Sequence, residues 1–330
     1  MKEDLDKSQK EESEKALSGG PSNIDGPESE SNSDYSEDRE LTALIKLLDD
    51  PDDEVFMHVS ERLFTYGDNI IPNLEASWET AQEEADTNQR ARIEELIHRI
   101  QFDSICQDLK KWVTDEGEDL IEASLLFNRY AFPALDYQEL REKIADIRRA
   151  IWIELTSFLS PIEKIKVINQ VLFRHLGFSG SDNLIREAKG SYFSNLLESR
   201  KGNPIALCLF YLGLAQELQL PLYGVRLPHH PMLAWTEHYL HKDQNEKETD
   251  KSVVFYLSPF RRGSVVTAKE ITYYLNRINQ PDMPEYYRPV SNTELLIEIF
   301  QIQAGLYESQ EETEKAGEMI ILKKILSDEE

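Results

Sequence analysis

The sequence predicts a predominantly helical α+β protein in which one buried helix packs against a small antiparallel sheet. Apolar residues recur at helical spacing through most of the chain from about residue 40 onwards. One helix, residues 204–219, is apolar almost all round, as a central buried helix is. Short runs rich in Val, Leu, Tyr and Trp follow it at 222–227, 232–238 and 253–257, and such runs are typical of strands. A buried helix that leads into neighbouring strands predicts an α+β core.

The chain is predicted to have four parts. Residues 1–38 form an acidic tail, residues 39–116 a helical region, residues 117–289 the α+β domain, and residues 290–330 the C-terminal helices. Within the α+β domain, residues 117–178 are expected to be helical, and residues 179–289 to form the core.

The acidic tail has too few apolar residues to offset the entropy of ordering it, so we expect it to be disordered. Two roles are open for it. Ser31, Ser33 and Ser36 lie among acidic residues, as in an interaction or phosphorylation segment. A solubilising tail is the simpler interpretation, since charge runs are usually solvated.

The two flanking helical regions have repeat-like patterns. Residues 41–78 alternate apolar helical stripes with breaks at Asp49-Asp50-Pro51 and Gly67-Asp68, which resembles HEAT-like repeats. Asp52 or Asp53 is expected to cap the second helix. Residues 290–325 resemble a tetratricopeptide-type helix pair. Both patterns predict surfaces that contact other proteins.

Composition excludes several classes of function. The net charge is −26, which repels nucleic acid phosphates and anionic membrane surfaces, so neither is an expected partner. Cys106 and Cys208 lie far apart and form no disulfide framework or CxxC metal motif. Neither a signal peptide nor an apolar stretch of membrane-spanning length is apparent. We therefore expect a cytoplasmic protein.

The most informative block spans residues 195–235. Gly202 is expected to allow a sharp turn, Asn203 to cap the central helix and Pro204 to occupy its first position. Three motifs then follow in order along the chain: ESRKGNPIAL at 198–207, LPLYGV at 220–225 and LPHH at 227–230. A fourth, FYLSPFRRG, occupies residues 255–263.

In this order the motifs resemble those of the bacterial SirB-like branch of the transglutaminase-like proteins, across roughly residues 120–278. The resemblance implies a papain-type fold whose enzymes use a Cys-His-Asp triad, with the Cys at the start of the central helix. It places Pro204 at the Cys position, His230 at the His position and Ser258 at the Asp position. Proline has no nucleophile, and serine cannot match a carboxylate in holding a protonated imidazole. We therefore expect no catalytic residues.

Cys208 is the alternative nucleophile. It lies one turn further along the predicted helix, on the same face as Pro204. However, it is surrounded by apolar residues, and a buried apolar thiol is usually inert packing.

A metal site would need ligands in addition to His229 and His230. His238 and His241 follow in sequence, but their spacing matches no metal-binding pattern, so we expect neither a metal nor another cofactor.

Two functions from different classes follow from these observations. The first is a non-catalytic protein that binds a protein or peptide in the degenerate cleft, with Asn203, Tyr223, Arg226, His229 and His230 as expected binding residues. The second is a cysteine-dependent hydrolase or acyl transferase that uses Cys208 and His230. The reactivity of the Cys208 thiol separates the two.

Overall fold

The structure is a computed structural model that describes residues 31–48, 50, 52–80, 87–115, 117–237 and 253–327. Most of the predicted acidic tail lies outside these ranges, and so do His238 and His241. The chain divides into two compact units, Met1–Leu63 and Phe64–Glu330. This division falls inside the helical region predicted at 39–116, and the boundaries predicted at 116 and 289 do not coincide with it.

The first unit contains α1 (Ser31–Leu47) and nearly all of α2 (Asp53–Phe64). Helix α1 begins before residue 39, where order was predicted to begin, because no Gly or Pro interrupts the sequence from residue 31 to residue 50. The predicted cap of α2 is confirmed at Asp52, whose Oδ1 accepts a hydrogen bond from the backbone N–H of Glu54 at 2.9 Å.

The second unit begins with five helices. They are α3 (Ile71–Thr80), α4 (Thr87–Thr114), α5 (Leu120–Ala131), α6 (Tyr137–Glu154) and α7 (Pro161–Asn169). Helix α4 runs without a break for 28 residues, since no Gly or Pro interrupts it. Helix α7 continues into a π-helical turn, Gln170–His175. None of the helices among the described residues is both long and apolar enough to span a bilayer.

One small sheet precedes the central helix α9 (Pro204–Glu217) along the chain, and a larger sheet follows it. A small parallel pair joins β1 (Ser179–Gly180) to β2 (Lys201–Gly202), and α8 (Phe193–Ser199) lies between them along the chain. Within the described residues the larger sheet has five strands in the order β6-β5-β4-β3-β7, and every neighbouring pair is antiparallel. They are β3 (Leu222–Val225), β4 (Met232–Thr236), β5 (Val253–Ser258), β6 (Ser264–Val266) and β7 (Pro289–Val290).

Helix α9 is the buried centre that the sequence predicts. All residues from Pro204 to Ala215 are buried. Gly213 lets it approach α5 closely, because a Cβ there would lie 2.4 Å from Ile121 Cδ1. Its apolar surface packs on all sides, which explains why the helix shows no polar face.

The C-terminal part of the unit is α10 (Ala268–Arg277) followed by the hairpin of α11 (Asn292–Ser309) and α12 (Thr313–Ser327). One continuous apolar core includes Ile105 in α4, Phe210 in α9, Phe300 in α11 and Leu326 in α12. Because this core joins segments that were predicted as separate parts, the second unit extends from Phe64 to the C-terminus.

Candidate functional site

The start of α9 is built around Asn203, which caps the helix as predicted. Its Oδ1 accepts from the backbone N–H of Ala206 at 3.1 Å, and its Nδ2 donates to Ser191 Oγ at 2.7 Å. Both Asn203 and Ser191 are buried. Pro204 occupies the first helical position, where its missing N–H costs no intrahelical hydrogen bond.

The glycine before this cap is required for a different reason from the one predicted. The left-handed backbone of this turn is adopted by Arg200, with φ of 60°, and not by Gly202. Gly202 is needed for space, because a Cβ there would lie 2.9 Å from Leu196 Cδ1 and 3.2 Å from Ala206 Cβ.

His230 and Ser258 come together, as the sequence predicts. His230 ends a turn closed by its backbone N–H bonding to Leu227 O at 3.1 Å, just before β4 begins. Ser258 is the last residue of β5 and is buried. His230 Nε2 lies 3.2 Å from Ser258 Oγ, within hydrogen-bond distance.

The environment of His230 keeps the imidazole neutral. Burial first and then the positive charge of Arg261 lower the pKa of His230, together, to about 4. The ring of Phe260 stands edge-on at 5.6 Å between centroids, and that of Tyr274 lies at 6.0 Å. The Ser258 hydroxyl supplies no negative charge that would favour the imidazolium.

Helix α9 also packs on this site. It contacts the short 3-10 helix Pro259–Arg261 that follows Ser258. Further along α9, Cys208 Sγ lies 3.9 Å from Met232 O at the start of β4. Helix α9 therefore packs against both β4 and the 3-10 helix that follows Ser258.

The sequence comparisons agree with this arrangement. Residues 138–301, close to half of the chain, match the Transglutaminase-like superfamily. The chain carries a transglutaminase-like domain. It is similar to a UPF0162 protein of Xylella fastidiosa, with 34% identity over 121 residues that cover 36% of this chain and 42% of that protein.

A second group of relatives is mammalian. The chain is similar to F-box only protein 21 of Mus musculus, with 24% identity over 206 residues, which cover 55% of this chain and 32% of that protein. The chain therefore matches less than half the length of these curated relatives. No solved structure gives a significant match. The finer SirB-like, HEAT-like and tetratricopeptide-like assignments stay predictions.

Within the transglutaminase-like domain, Cys208 is poorly placed to replace a nucleophile. Its side chain is completely buried, and burial raises the pKa of its thiol far above the ordinary range. Its one polar neighbour among the described residues is the carbonyl of Met232, which favours the protonated thiol. Burial also raises the pKa of Cys106 to about 11.

The other predicted binding residues of the domain are not all brought to His230. Tyr223 lies on β3, paired with Ala234, and is half-buried. Arg226 and His229 lie close to Glu298 instead; burial raises the pKa of the Glu298 carboxyl, and the charge of Arg226 opposes that shift. His229 is exposed and has φ of 59°.

Metal binding has no support in the described ranges, where no three His, Cys, Asp or Glu side chains lie close enough to share an ion. The predicted histidine cluster included His238 and His241, which lie outside the described residues.

A surface pocket of about 370 Å³ lies beside β2. It is lined mainly by polar side chains: Ser181, Asn183, Lys189, Asn195, Glu198, Ser199 and Lys201. The pocket lies near the His230 site. Its lining residue Ser181 follows Gly180, and a Cβ on Gly180 would lie 2.7 Å from the ring of Phe260, which contacts His230.

Sequence reasoning missed three neighbours of the site. Phe260 and Arg261 belong to the SPFRRG motif and follow Ser258 closely in the sequence, so their position could have predicted that they lie near His230. Tyr274 had none. It lies on the amphipathic helix α10, and only the packing of that helix brings its hydroxyl to Pro228 O at 2.9 Å.

Proposed function

We propose that this chain is a non-catalytic transglutaminase-like protein that binds a protein or peptide partner in the cleft beside His230. The observation that carries the proposal is Pro204 at the first position of α9, where these enzymes place the cysteine. A proline has no group that can attack an acyl carbon, so the first step of acyl transfer has no nucleophile here.

The histidine supports the same proposal. A catalytic imidazole must accept a proton and be stabilised as imidazolium by its partner. His230 has a neutral hydroxyl as its partner and Arg261 as its charged neighbour, and its pKa is lowered to about 4. At neutral pH it is therefore suited to hydrogen bonding with a ligand and not to holding a charge.

The walls of the site suit a partner side chain. Two aromatic rings, Phe260 and Tyr274, flank His230, and Arg261 adds a positive charge. Aromatic residues and arginine are enriched where proteins bind one another. A similar region is present in F-box only protein 21, which is in keeping with a role in protein interaction. We expect the predicted repeat-like helices to add contact surface.

The alternative is a hydrolase or acyl transferase that uses Cys208 and His230. Complete burial and the raised pKa of Cys208 argue against it, because the thiolate is the nucleophile. Native-state alkylation of the thiols should therefore be slow, and fast modification of Cys208 would favour the enzyme.

Turnover of a glutamine-donor amine-incorporation substrate and of a generic peptide tests the proposal. The unmodified chain should turn over neither. Pro204→Cys should gain little, since loss of the orienting carboxylate alone costs serine proteases about 10⁴ in rate. The double variant Pro204→Cys with Ser258→Asp is the matched test of the scaffold. Turnover by the unmodified chain that Cys208→Ala abolishes would show that the chain is an enzyme.

Binding is tested separately by selecting a displayed random peptide library on the full chain. Peptides that bind the cleft should be lost when His230→Ala replaces the parent as bait. Enriched peptides that bind both baits equally would place the binding site elsewhere.

A further inference from the structure

The corner between α6 and α7 exposes four large apolar side chains within eleven residues. Their exposed fractions are 64% for Trp152, 69% for Ile153, 97% for Phe158 and 38% for Ile162. Clustered exposure of this kind marks interaction sites, whereas single exposed apolar residues are ordinary. We call these four residues the corner patch.

The patch faces outward because of helix geometry. The buried stripe of α6 consists of Leu140, Ile144, Ile147 and Ile151, at spacings of three and four residues. Trp152 and Ile153 follow Ile151 by one and two residues, which turns them by about 100° and 200° around the helix axis. Trp152 therefore lies on the flank of the helix and Ile153 on the face opposite the core.

The segment that carries Phe158 is fixed at both ends. Leu155 N–H bonds to Ile151 O at 3.2 Å, and Leu159 N–H bonds to Thr156 O at 3.3 Å. Ser160 then forms a capping box with Glu163, with Pro161 at the first position of α7. The patch is thus presented on a defined backbone, which lowers the entropy cost of binding.

The charge around the patch differs from that of the chain as a whole. Residues 146–175 contain five Lys or Arg and three Asp or Glu, in a chain of net charge −26. Glu163 is engaged in its capping box, Arg149 pairs with Asp146 at 2.9 Å, and Arg148 pairs with Glu217 at 3.5 Å. Glu154 is exposed beside Ile153, so the basic side of the rim is the one formed by α7. Lys164 and Lys166 stand near Ile162 on α7 and are not engaged in an ion pair among the described residues.

We infer that the corner patch docks an acidic segment of a partner protein that carries aromatic or aliphatic anchors. The apolar side chains supply the buried centre of such a contact, and the basic rim pairs with Asp or Glu at its edge. This surface is separate from the cleft beside His230, and the inference does not depend on the cleft being occupied.

Charge complementarity decides against two other occupants. A second copy packed on a twofold axis would bring the patch against itself, so two basic rims would meet between two chains of net charge −26. An anionic membrane would face a large part of a chain of net charge −26, whereas a short acidic segment would meet mainly the basic rim, because more distant charges are screened.

Selection of a displayed random peptide library tests the inference. The full chain is the bait, and Phe158→Ser with Ile153→Ser is the counter-selection bait. Both side chains are exposed, so the variant should keep the parent melting temperature. Tyr273→Ser, which alters a 66% exposed side chain on α10, is the matched control. Enriched peptides should carry a net negative charge and apolar anchors.

The selected peptides are then synthesised, and their binding is titrated by the change in the tryptophan fluorescence of the chain. Affinity should fall about tenfold or more for the Phe158→Ser variant, as for a residue at the centre of an interface. Arg149→Glu with Lys164→Glu should weaken binding, while Tyr273→Ser and His230→Ala should leave it unchanged. Enrichment of basic peptides, or of none that depend on Phe158, would overturn the inference. So would Phe158-dependent dimerisation in sedimentation, or Phe158-dependent binding to phosphatidylserine vesicles.

Discussion

Two histidines of the second unit have opposite surroundings. His230 pairs with the hydroxyl of Ser258 at 3.2 Å, and burial lowers its pKa to about 4. His98 on α4 pairs through Nε2 with Glu318 Oε1 at 2.7 Å, and this hydrogen bond raises its pKa above 6.5 despite partial burial. The partner of the ring therefore decides its charge. His98 has the carboxylate that a catalytic histidine needs, but it lies in a structural network.

That network links helices that are distant in sequence. Glu318 on α12 also accepts from Tyr130 OH on α5 at 2.5 Å. Nearby, the hydroxyls of Tyr192 and Tyr307 lie 2.6 Å apart. Carboxylate and histidine thus hold the C-terminal hairpin against α4 and α5, while at the candidate site the partner of the ring is the hydroxyl of Ser258.

The largest expected effect is an acid sensitivity carried by His230. Its folded pKa of about 4 lies below the unfolded value of 6.5, so the unfolded state binds more protons between these pH values. Stability should fall as pH drops from about 6.5 to about 4, by about 3 kcal/mol from this group alone. Denaturant unfolding of the parent and of His230→Asn across this range measures it. Equal slopes for the two proteins would contradict the prediction.

Removal of Glu318 should have the next largest effect. Glu318→Ala leaves the buried hydroxyl of Tyr130 without its acceptor and His98 without its anion. The expected loss is about 2 kcal/mol in the free energy of unfolding. Glu314→Ala, an exposed carboxylate on the same helix, is the control and should cost far less. Similar losses of stability for both variants would mean that Glu318 acts only through its negative charge and not through these hydrogen bonds.

The pairing of His230 with Ser258 was predictable from sequence, and the pairing of His98 with Glu318 was not. Motif order placed His230 and Ser258 in one cleft, and the structure confirms that pairing. The strands predicted at 222–227, 232–238 and 253–257 became β3, β4 and β5 with ends shifted by a few residues. A short run rich in Val, Leu, Tyr and Trp is a local signal, so it can be recognised without knowledge of the fold.

What sequence could not provide depends on packing between distant segments. His98 and Glu318 are separated by 220 residues, and no local pattern marks them as partners. Strands β6 and β7 are too short for a periodic signal and form by pairing with β5 and β3. The core shared by α4, α9, α11 and α12 likewise has no local signal, because it forms only when these distant helices pack together.

A single substitution should make the two histidines more alike. Ser258→Asp places a carboxylate within reach of His230 Nε2 and should raise the pKa of His230 by roughly one to two units, as an adjacent opposite charge does. Titration of the ring protons by NMR measures it, with Ser258→Asn as the uncharged control. An unchanged pKa in the Asp variant would mean that the new carboxylate does not reach the ring.

The smallest expected effect is the pH dependence carried by His98. Its folded pKa is raised, first by the hydrogen bond to Glu318 and then by the charges of Glu318 and Glu314, while burial and Lys315 oppose the shift. The resulting stability is fully present below the unfolded pKa of 6.5 and is lost as pH rises through the raised folded value. His98→Gln should therefore cost more stability near pH 6 than near pH 9, by less than about 1 kcal/mol, since the side chain is 41% exposed and solvent screens the pair. Unfolding of both proteins at the two pH values measures the difference, which has the opposite sign to that of His230. A loss of stability in His98→Gln that grows with pH would show that Glu318 binds the neutral imidazole more favourably than the charged one.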